Sequence, residues 1–353
     1  MAQSQNMIKY IIKRVLLMIP MLILALIISW VLSQLMFVDP VLNKMGMLDI
    51  EILEAERIRI GFYDPWYVKL GLYLKNFFTG NWGTSYLVSD GEPVSVLIGK
   101  IFPKTIELVI IPIIIIPILS VKLGVIAAKS KDKPKDSVIR GVAILGTALP
   151  IFWLATMLQY FVGHYLSIYT YGELNLEIMN PNSVTFRYPD PAWPFSTGFR
   201  IIDSILFNSQ ALLQDTLVHM ILPMICMTFV SLAGITRQTR ASMLDVLEED
   251  YIRTARAKGS LEKEVINKHA LRNALIPTST LIVGGTAARL TGALFLEIAF
   301  NYTGMGFYMV AAIRLGDYVV INGILVFTVI IILSGTLIAD VLYTIIDPRI
   351  IYK

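Results

Sequence analysis

The sequence predicts an all-α polytopic membrane protein with six transmembrane helices and two long insertions on the outer side. Three observations carry that expectation. The 353-residue chain is 56% hydrophobic and only 16% charged, with a mean hydropathy of +0.67, too apolar for a soluble protein of its length. Six apolar stretches, at about 13–37, 104–128, 138–163, 217–236, 276–300 and 319–343, each have the length that a hydrocarbon layer about 30 Å thick demands. Lysine and arginine gather in alternate connections between these stretches, which sets the orientation in the membrane.

Residues 1–37 comprise a cytoplasmic stub, with Lys9, Lys13 and Arg14 and no acid, and the first span. Its apolar run is longer than that of a secretory signal, and no small-residue cleavage pattern follows in "LMFVDPVLNKMG", so an uncleaved span is expected. Residues 38–103 are extracytoplasmic. The spacing of Tyr67, Leu70, Leu74, Phe77 and Phe78 predicts a short amphipathic helix ending near Gly80, and the "GNWGTS" turn with the "EPVSVLIGKIFPKTIEL" approach to span two reads as a packed cap. Spans two and three occupy 104–163. Their connection holds Lys129, Lys131, Lys133, Lys135 and Arg140 against Asp132 and Asp136. Residues 164–216 form the second outer insertion, rich in Tyr, Pro and Trp, which reads either as a partner-docking surface or as a lid over helix ends. Spans four to six lie within 217–343 and include a charged cytoplasmic loop at 237–275. Residues 344–353, with Arg349 and Lys353, end the chain in the cytoplasm.

Several function classes find little support. The isoelectric point near 8.9 follows from the loop asymmetry, and no basic stripe with interleaved aromatics points to nucleic acid. His164, His219 and His269 are too scattered for a metal triad. "GVIAAKS" at 124–130 lacks the second glycine of a phosphate loop, so no nucleotide site is visible in the chain. The single Cys226 reads as a small buried hydrophobe. Charged groups inside a bilayer are costly. Glu107 and Glu297 fall near span ends, whereas Arg289 and Asp340 lie deeper and either line a pathway or pair with each other or with backbone.

The polar segment "EEDYIRTARAKGSLEKEVINKHALRNALIP", Glu248–Pro277, carries no chemistry of its own. Leu244, Leu247, Tyr251 and Ala255 share one predicted helix face, and Leu261, Val265, Ile266 and Ala270 another. Gly259 between them suits a positive-φ stop, and Ser260 the N-cap of the second helix, with Glu262 and Glu264 in its first turn. Six acids, Asp245 just before the segment and Glu248, Glu249, Asp250, Glu262 and Glu264 within it, are mixed with the bases and suit a protein groove better than an anionic leaflet. The expected device is a handle, with Leu261 and Val265 as anchors for a cytoplasmic partner.

"DYIRTARAKGSLEKEVINKHALRNALIP" resembles the cytoplasmic EAA loop of ABC-importer permeases, in the form used by the oligopeptide/dipeptide/nickel family. The likeness extends along nearly the whole chain: "YIIKRVLLMIPMLILALIISWVLSQL", "GNWGTSY", "PVSVLIGKIFPKTIEL", "NYTGMGFYMVAAIRLGDYVVINGILV" and "LIADVLYTIIDPRI" resemble the family's other segments. Arg272, where the general loop pattern has proline, is similar to the family's first permease subunit. "VDP" at Val38–Pro40 stands where Gly-Asp-Pro is usual, and the second insertion is long.

The resemblance implies a type I ABC importer permease fold in a prokaryotic cell membrane, and a half-pore that pairs with a homologous second permease. Two cytoplasmic ATPase subunits would hold the ATP and Mg²⁺, with no cofactor in this chain, and an extracytoplasmic binding protein would deliver substrate. The coupling residues it implies are Arg253, Ala255, Gly259, Ser260, Leu261, Val265, His269, Leu271, Arg272 and Asn273. The expected mechanism is alternating access. Gly284, Gly285, Ala288, Arg289, Gly292 and Asp340 are candidates for the pathway, although the small residues equally serve close helix packing. Short peptides head the expected substrates, followed by oligosaccharides and nickel. The rivals are an ion-gradient-driven transporter or channel, for which inverted repeats are lacking, and a docking scaffold or sensor.

Overall fold

The structure, a computed structural model, describes residues 2–35, 50–59, 61–89, 91–169, 188–189 and 193–346. Among these it is helical, with one isolated bridge between Thr84 and Pro93. In chain order the helices are α1 (Ala2–Leu35), α2 (Ile50–Arg59), α3 (Trp66–Phe78), α4 (Val94–Lys129), α5 (Pro134–Ala148), α6 (Ile151–Leu158), α7 (Tyr165–Tyr169), α8 (Arg200–Leu206), α9 (Gln210–Leu247), α10 (Asp250–Ala257), α11 (Glu262–Glu264), α12 (Leu271–Ala299), α13 (Met305–Leu315) and α14 (Tyr318–Ile346).

Four of them, α1, α4, α9 and α14, are long and apolar enough to cross a membrane, and α5 with the helical stretch to His164 makes a fifth span if counted as one. The third expected span, at about 138–163, is bent. The chain bends by 105° between Ala148 and Ile151, where Pro150 withholds an N–H and pushes Leu149 into an extended conformation. The fifth of the six expected spans coincides with α12, 29 residues long, which carries Arg272, Arg289 and Glu297. Helices α4 and α9 are also longer than their apolar stretches. Helix α4 starts at Val94, inside the expected first insertion, and α9 starts at Gln210 and runs on to Leu247.

Helices α4 and α9 form the axis, and α12 packs against both. Close approach is built in at Gly124, where an added Cβ would come within 2.5 Å of Thr239. Three apolar clusters succeed one another along α4. Val94, Leu97, Ile98 and Ile101 pack on α13 and the start of α14. Leu108 and Val109 meet Met220, Cys226 and Met227 of α9 and Leu296 of α12. Ala128 joins a third cluster, formed with Met243, Ile252 and Val265.

Two buried carboxylates fasten the two long connections. Asp317 Oδ2 accepts from Ser85 Oγ (2.7 Å) and from the amides of Tyr86, Leu87 and Val88 at 2.8, 3.0 and 3.3 Å. Asp203 accepts from Tyr188, from Ser196 Oγ (2.8 Å) and from the amide and hydroxyl of Thr197 (2.9 and 2.6 Å). Fully buried Arg200 stacks its guanidinium 4.4 Å from the Tyr302 ring centre and bonds Thr303, while Glu107 accepts the Ile201 amide at 2.8 Å.

Candidate functional site

The charged loop folds as a compact joint. Helix α9 ends at Leu247, and extended Glu249 caps α10, with Asp250 in its first turn. At the other end Gly259 adopts φ +80°, its N–H bonds the Arg256 carbonyl (2.9 Å) and the Ser260 N–H the Ala255 carbonyl (3.2 Å). This paired pattern satisfies the last carbonyls of α10 and turns the chain sharply. An added Cβ at Gly259 would meet nothing within 4 Å, so glycine is required there for its backbone and not for space. Across the turn, Arg256 Nε and Nη2 donate to the two oxygens of Glu262 at 3.2 and 3.0 Å. That hydrogen bond holds the Glu262 carboxyl below its ordinary pKa.

Three sequence expectations change here. Ser260 does not cap the second helix: Leu261 occupies that position without a side-chain cap, and Glu262 and Glu264 supply the favourable first-turn charge. Leu244, Leu247, Tyr251 and Ala255 do not share one helix, because the chain breaks at Glu248–Glu249. Ile252 is the buried residue of α10 instead, and Tyr251 turns outward, its hydroxyl accepting Asn273 Nδ2 at 2.6 Å. Val265 is not an anchor for a partner. It is fully buried in its own chain with Ile252, Ile266 and Ala270, whereas Leu261 is 72% exposed. Burying side chains of this size contributes about 1.5–3 kcal/mol each, so the joint is internally cemented while its tip stays open.

The second half of the loop is not a separate helix. Helix α11 passes through a π-helical turn, Val265–Ala270, directly into α12, so helical backbone runs unbroken from Glu262 to Ala299. His269, Leu271 and Ala255 are half-buried, while Arg253, Arg272 and Asn273 are exposed. Arg253 pairs with neighbouring Asp250, at 3.2 Å on the surface.

Sequence reasoning counted Asp136 only as a charge of the connection between spans two and three. In the structure Asp136 is fully buried and takes two bonds from Arg240, Nε at 2.6 Å and Nη2 at 2.7 Å, with Arg140 nearby at 3.6 Å. The pair clamps α5 to the C-terminal half of α9. The only local signal was an acid in the first turn of a helix after a basic run, and nothing in one dimension names its partner.

Within the spans, Arg289 and Asp340 do not pair. Asp340 meets Arg14 at 3.2 Å and ties α14 to α1. Arg289 folds back on its own helix, with Nη1 3.3 Å from the Ile282 carbonyl and 3.4 Å from Thr286 Oγ1. Gly285 makes room for it, since an added Cβ would lie 3.1 Å from Nη2. Both line an open groove of about 460 Å³ between α9 and α12, with Met227, Ser231, Gly234 and Leu281. Gly284 is exposed on the same helix. The side-chain surroundings of Ala288 and Gly292 fall outside the described residues.

The arrangement offers no reacting pair. It offers a mechanical joint at one end of a long helix and an open groove beside that helix. The family model for binding-protein-dependent transport system inner membrane components matches residues 120–352. The dipeptide transport system permease protein DppB of Alkalihalophilus pseudofirmus is 36% identical over 350 residues, covering 98% of this chain and 100% of that protein. The oligopeptide transport system permease protein AppB of Bacillus subtilis is 35% identical, covering 97% and 99%. The dipeptide permease DppB of Escherichia coli K12 is 32% identical, covering 98% and 100%.

Proposed function

The chain belongs to the inner-membrane permeases of binding-protein-dependent ABC importers, in their peptide family, and from that membership we propose that it forms half of an ATP-driven pore for dipeptides or oligopeptides. A homologous second permease covers the groove beside Arg289. Two cytoplasmic ATPase subunits, which hold the ATP and Mg²⁺, grip the loop at Leu261. An extracytoplasmic binding protein delivers the peptide, and both termini of the chain lie in the cytoplasm.

One observation carries this reading: an exposed apolar side chain sits at the tip of a joint whose other apolar groups are buried, on backbone continuous with α12. A push on Leu261 cannot be absorbed locally, because Val265 and Ile266 are locked against Ile252 and Met243. It is passed along α12 to the groove lined by Gly285 and Arg289, and through Met243 to α9. Closure of the ATPases thus rocks α9 and α12 between inward-open and outward-open arrangements. Helix-in-groove docking through one or two apolar anchors is strong enough to transmit motion and weak enough to rearrange.

The test is uptake of a labelled dipeptide into vesicles holding both permeases and the two ATPases, with the binding protein supplied. Uptake should require ATP and persist when ion gradients are collapsed. Gradient-driven uptake without the ATPases would overturn the proposal.

A further inference from the structure

Helix α3, the short amphipathic helix expected in the first insertion, has no buried residue. Leu70, Tyr73, Leu74 and Phe77 turn toward the bundle and are half-buried, but Trp66, Tyr67, Leu72 and Phe78 point away and are exposed, Trp66 by 66% and Phe78 by 61%. The helix carries Lys69 and Lys75 and no acid. A soluble surface does not keep such a face bare, so something apolar covers it.

The neighbours of α3 fix its level. Tyr73 meets the Ser29 hydroxyl of α1, and Ser29 Oγ in turn donates to Asn322 Oδ1 of α14 at 2.5 Å. Tyr73 and Phe77 also share a cavity of about 190 Å³ with Asn322 and Val326. Ser29 lies six residues before the end of α1 at Leu35, and Asn322 four residues after the start of α14 at Tyr318. At about 1.5 Å per residue these positions sit roughly 9 Å and 6 Å inside the helix ends. Helix α3 is therefore level with the last turns of two membrane-crossing helices and not above them. Beside it α1 exposes Ile28, Val31, Leu32 and Leu35, so the apolar belt is continuous across both helices.

We propose that α3 is an interfacial anchor whose Trp66, Tyr67, Leu72 and Phe78 face is seated in the outer leaflet of the bilayer, at the boundary of headgroups and acyl chains. Its chemistry fits that place: aromatic rings favour the interface, and cationic ends meet lipid phosphates while their stems lie on hydrocarbon. The inference rests on α1 and α14 crossing the membrane, as read above. It goes beyond transport in assigning a lipid contact that holds the first insertion, and Trp82 stacked on Phe77 at 5.2 Å, at a set depth.

Two single-tryptophan proteins, one keeping Trp66 and one keeping Trp30 of α1, would be reconstituted with the partner permease and ATPases. The vesicles would be an equal mixture of phosphatidylcholine and phosphatidylglycerol. Fluorescence is then quenched by lipids with a nitroxide near the headgroup, by lipids with it near the chain end, and by iodide in water. Trp66 should be quenched roughly twofold more by the shallow label than by the deep one, as a ring about 5–10 Å into the boundary requires, and only weakly by iodide. Strong iodide quenching without lipid quenching would mean that the face meets water. No quenching by any agent would mean that a partner protein covers it. Either result overturns the anchor, provided that Trp30 is quenched by lipid; a Trp30 untouched by lipid would instead overturn the membrane reading of α1. Should the tryptophan replacements misfold, a Gly71→Cys protein in a Cys226→Ser background gives the same answer. Position 71 is exposed with room for a side chain. An environment-sensitive label there should emit blue-shifted light and resist aqueous reductants; water-like emission would contradict the anchor.

Discussion

Leu261 and Val265 lie one helical turn apart and face opposite environments, the first 72% exposed and the second fully buried against Ile252. The pair separates two roles that sequence periodicity merged. Leu261→Asp should leave stability within about 0.5 kcal/mol of the parent, as exposed substitutions do, while ATP hydrolysis continues and peptide uptake is lost. Val265→Ala should instead lower the melting temperature, costing about 1–3 kcal/mol, with uptake falling only as folded protein falls. Measuring melting, hydrolysis and uptake on both variants separates the roles.

Gly259 tests the joint through its backbone. A β-branched residue at φ +80° is strained although space is free, at a cost of about 1–2 kcal/mol. Gly259→Val should re-aim Leu261 and reduce uptake per ATP hydrolysed. Gly259→Asn, which tolerates the left-handed region, should retain most of it. Equal uptake in all three proteins would contradict the hinge.

The clamp between Asp136 and Arg240 makes a separate claim about α5 and α9. Asp136→Asn leaves Arg240 without its carboxylate and should cost about 2–3 kcal/mol, on the low side for a buried pair because Arg140 and Arg240 retain contact with water. The Asp136→Asn/Arg240→Met protein should recover part of that loss. A double-mutant cycle on melting in detergent checks the coupling.

Asp203 sets a pH limit on the second insertion. Burial alone would raise its pKa, but donors from Thr197, Tyr188 and Ser196 outweigh burial and hold it below its ordinary value. A depressed folded pKa contributes stability above the unfolded value of about 3.9, and that stability is lost as pH falls through the folded pKa. Amide exchange across Ser196–Phe207 should therefore stay slow at neutral and mildly acidic pH and accelerate only below about pH 3.9. Asp203→Asn should exchange faster already at neutral pH, where the charge-assisted bonds are missing.

Helix class, the long apolar helices and the location of the joint were legible because hydrocarbon length and Gly259 each act locally. Partnership was not. Asp136 finds Arg240, Asp317 finds the Ser85–Val88 amides and Asp340 finds Arg14 across more than a hundred residues in each case, and no periodicity encodes such pairs. The burial of Val265 was missed for a related reason. Its face looked free because the break at Glu248–Glu249, which rotates Ile252 onto it, lacks a glycine or proline signal. The bend at Pro150 was signalled by the proline, but hydropathy alone averaged across it.

The central claim is that Leu261 is the point at which a cytoplasmic ATPase grips this chain. A photoreactive phenylalanine placed at position 261, and separately at 265, in the assembled transporter tests it directly. The account predicts an ATPase–permease cross-link from 261 and none from 265. A protein that transports peptide normally yet cross-links from neither position, or from 265 alone, would contradict it.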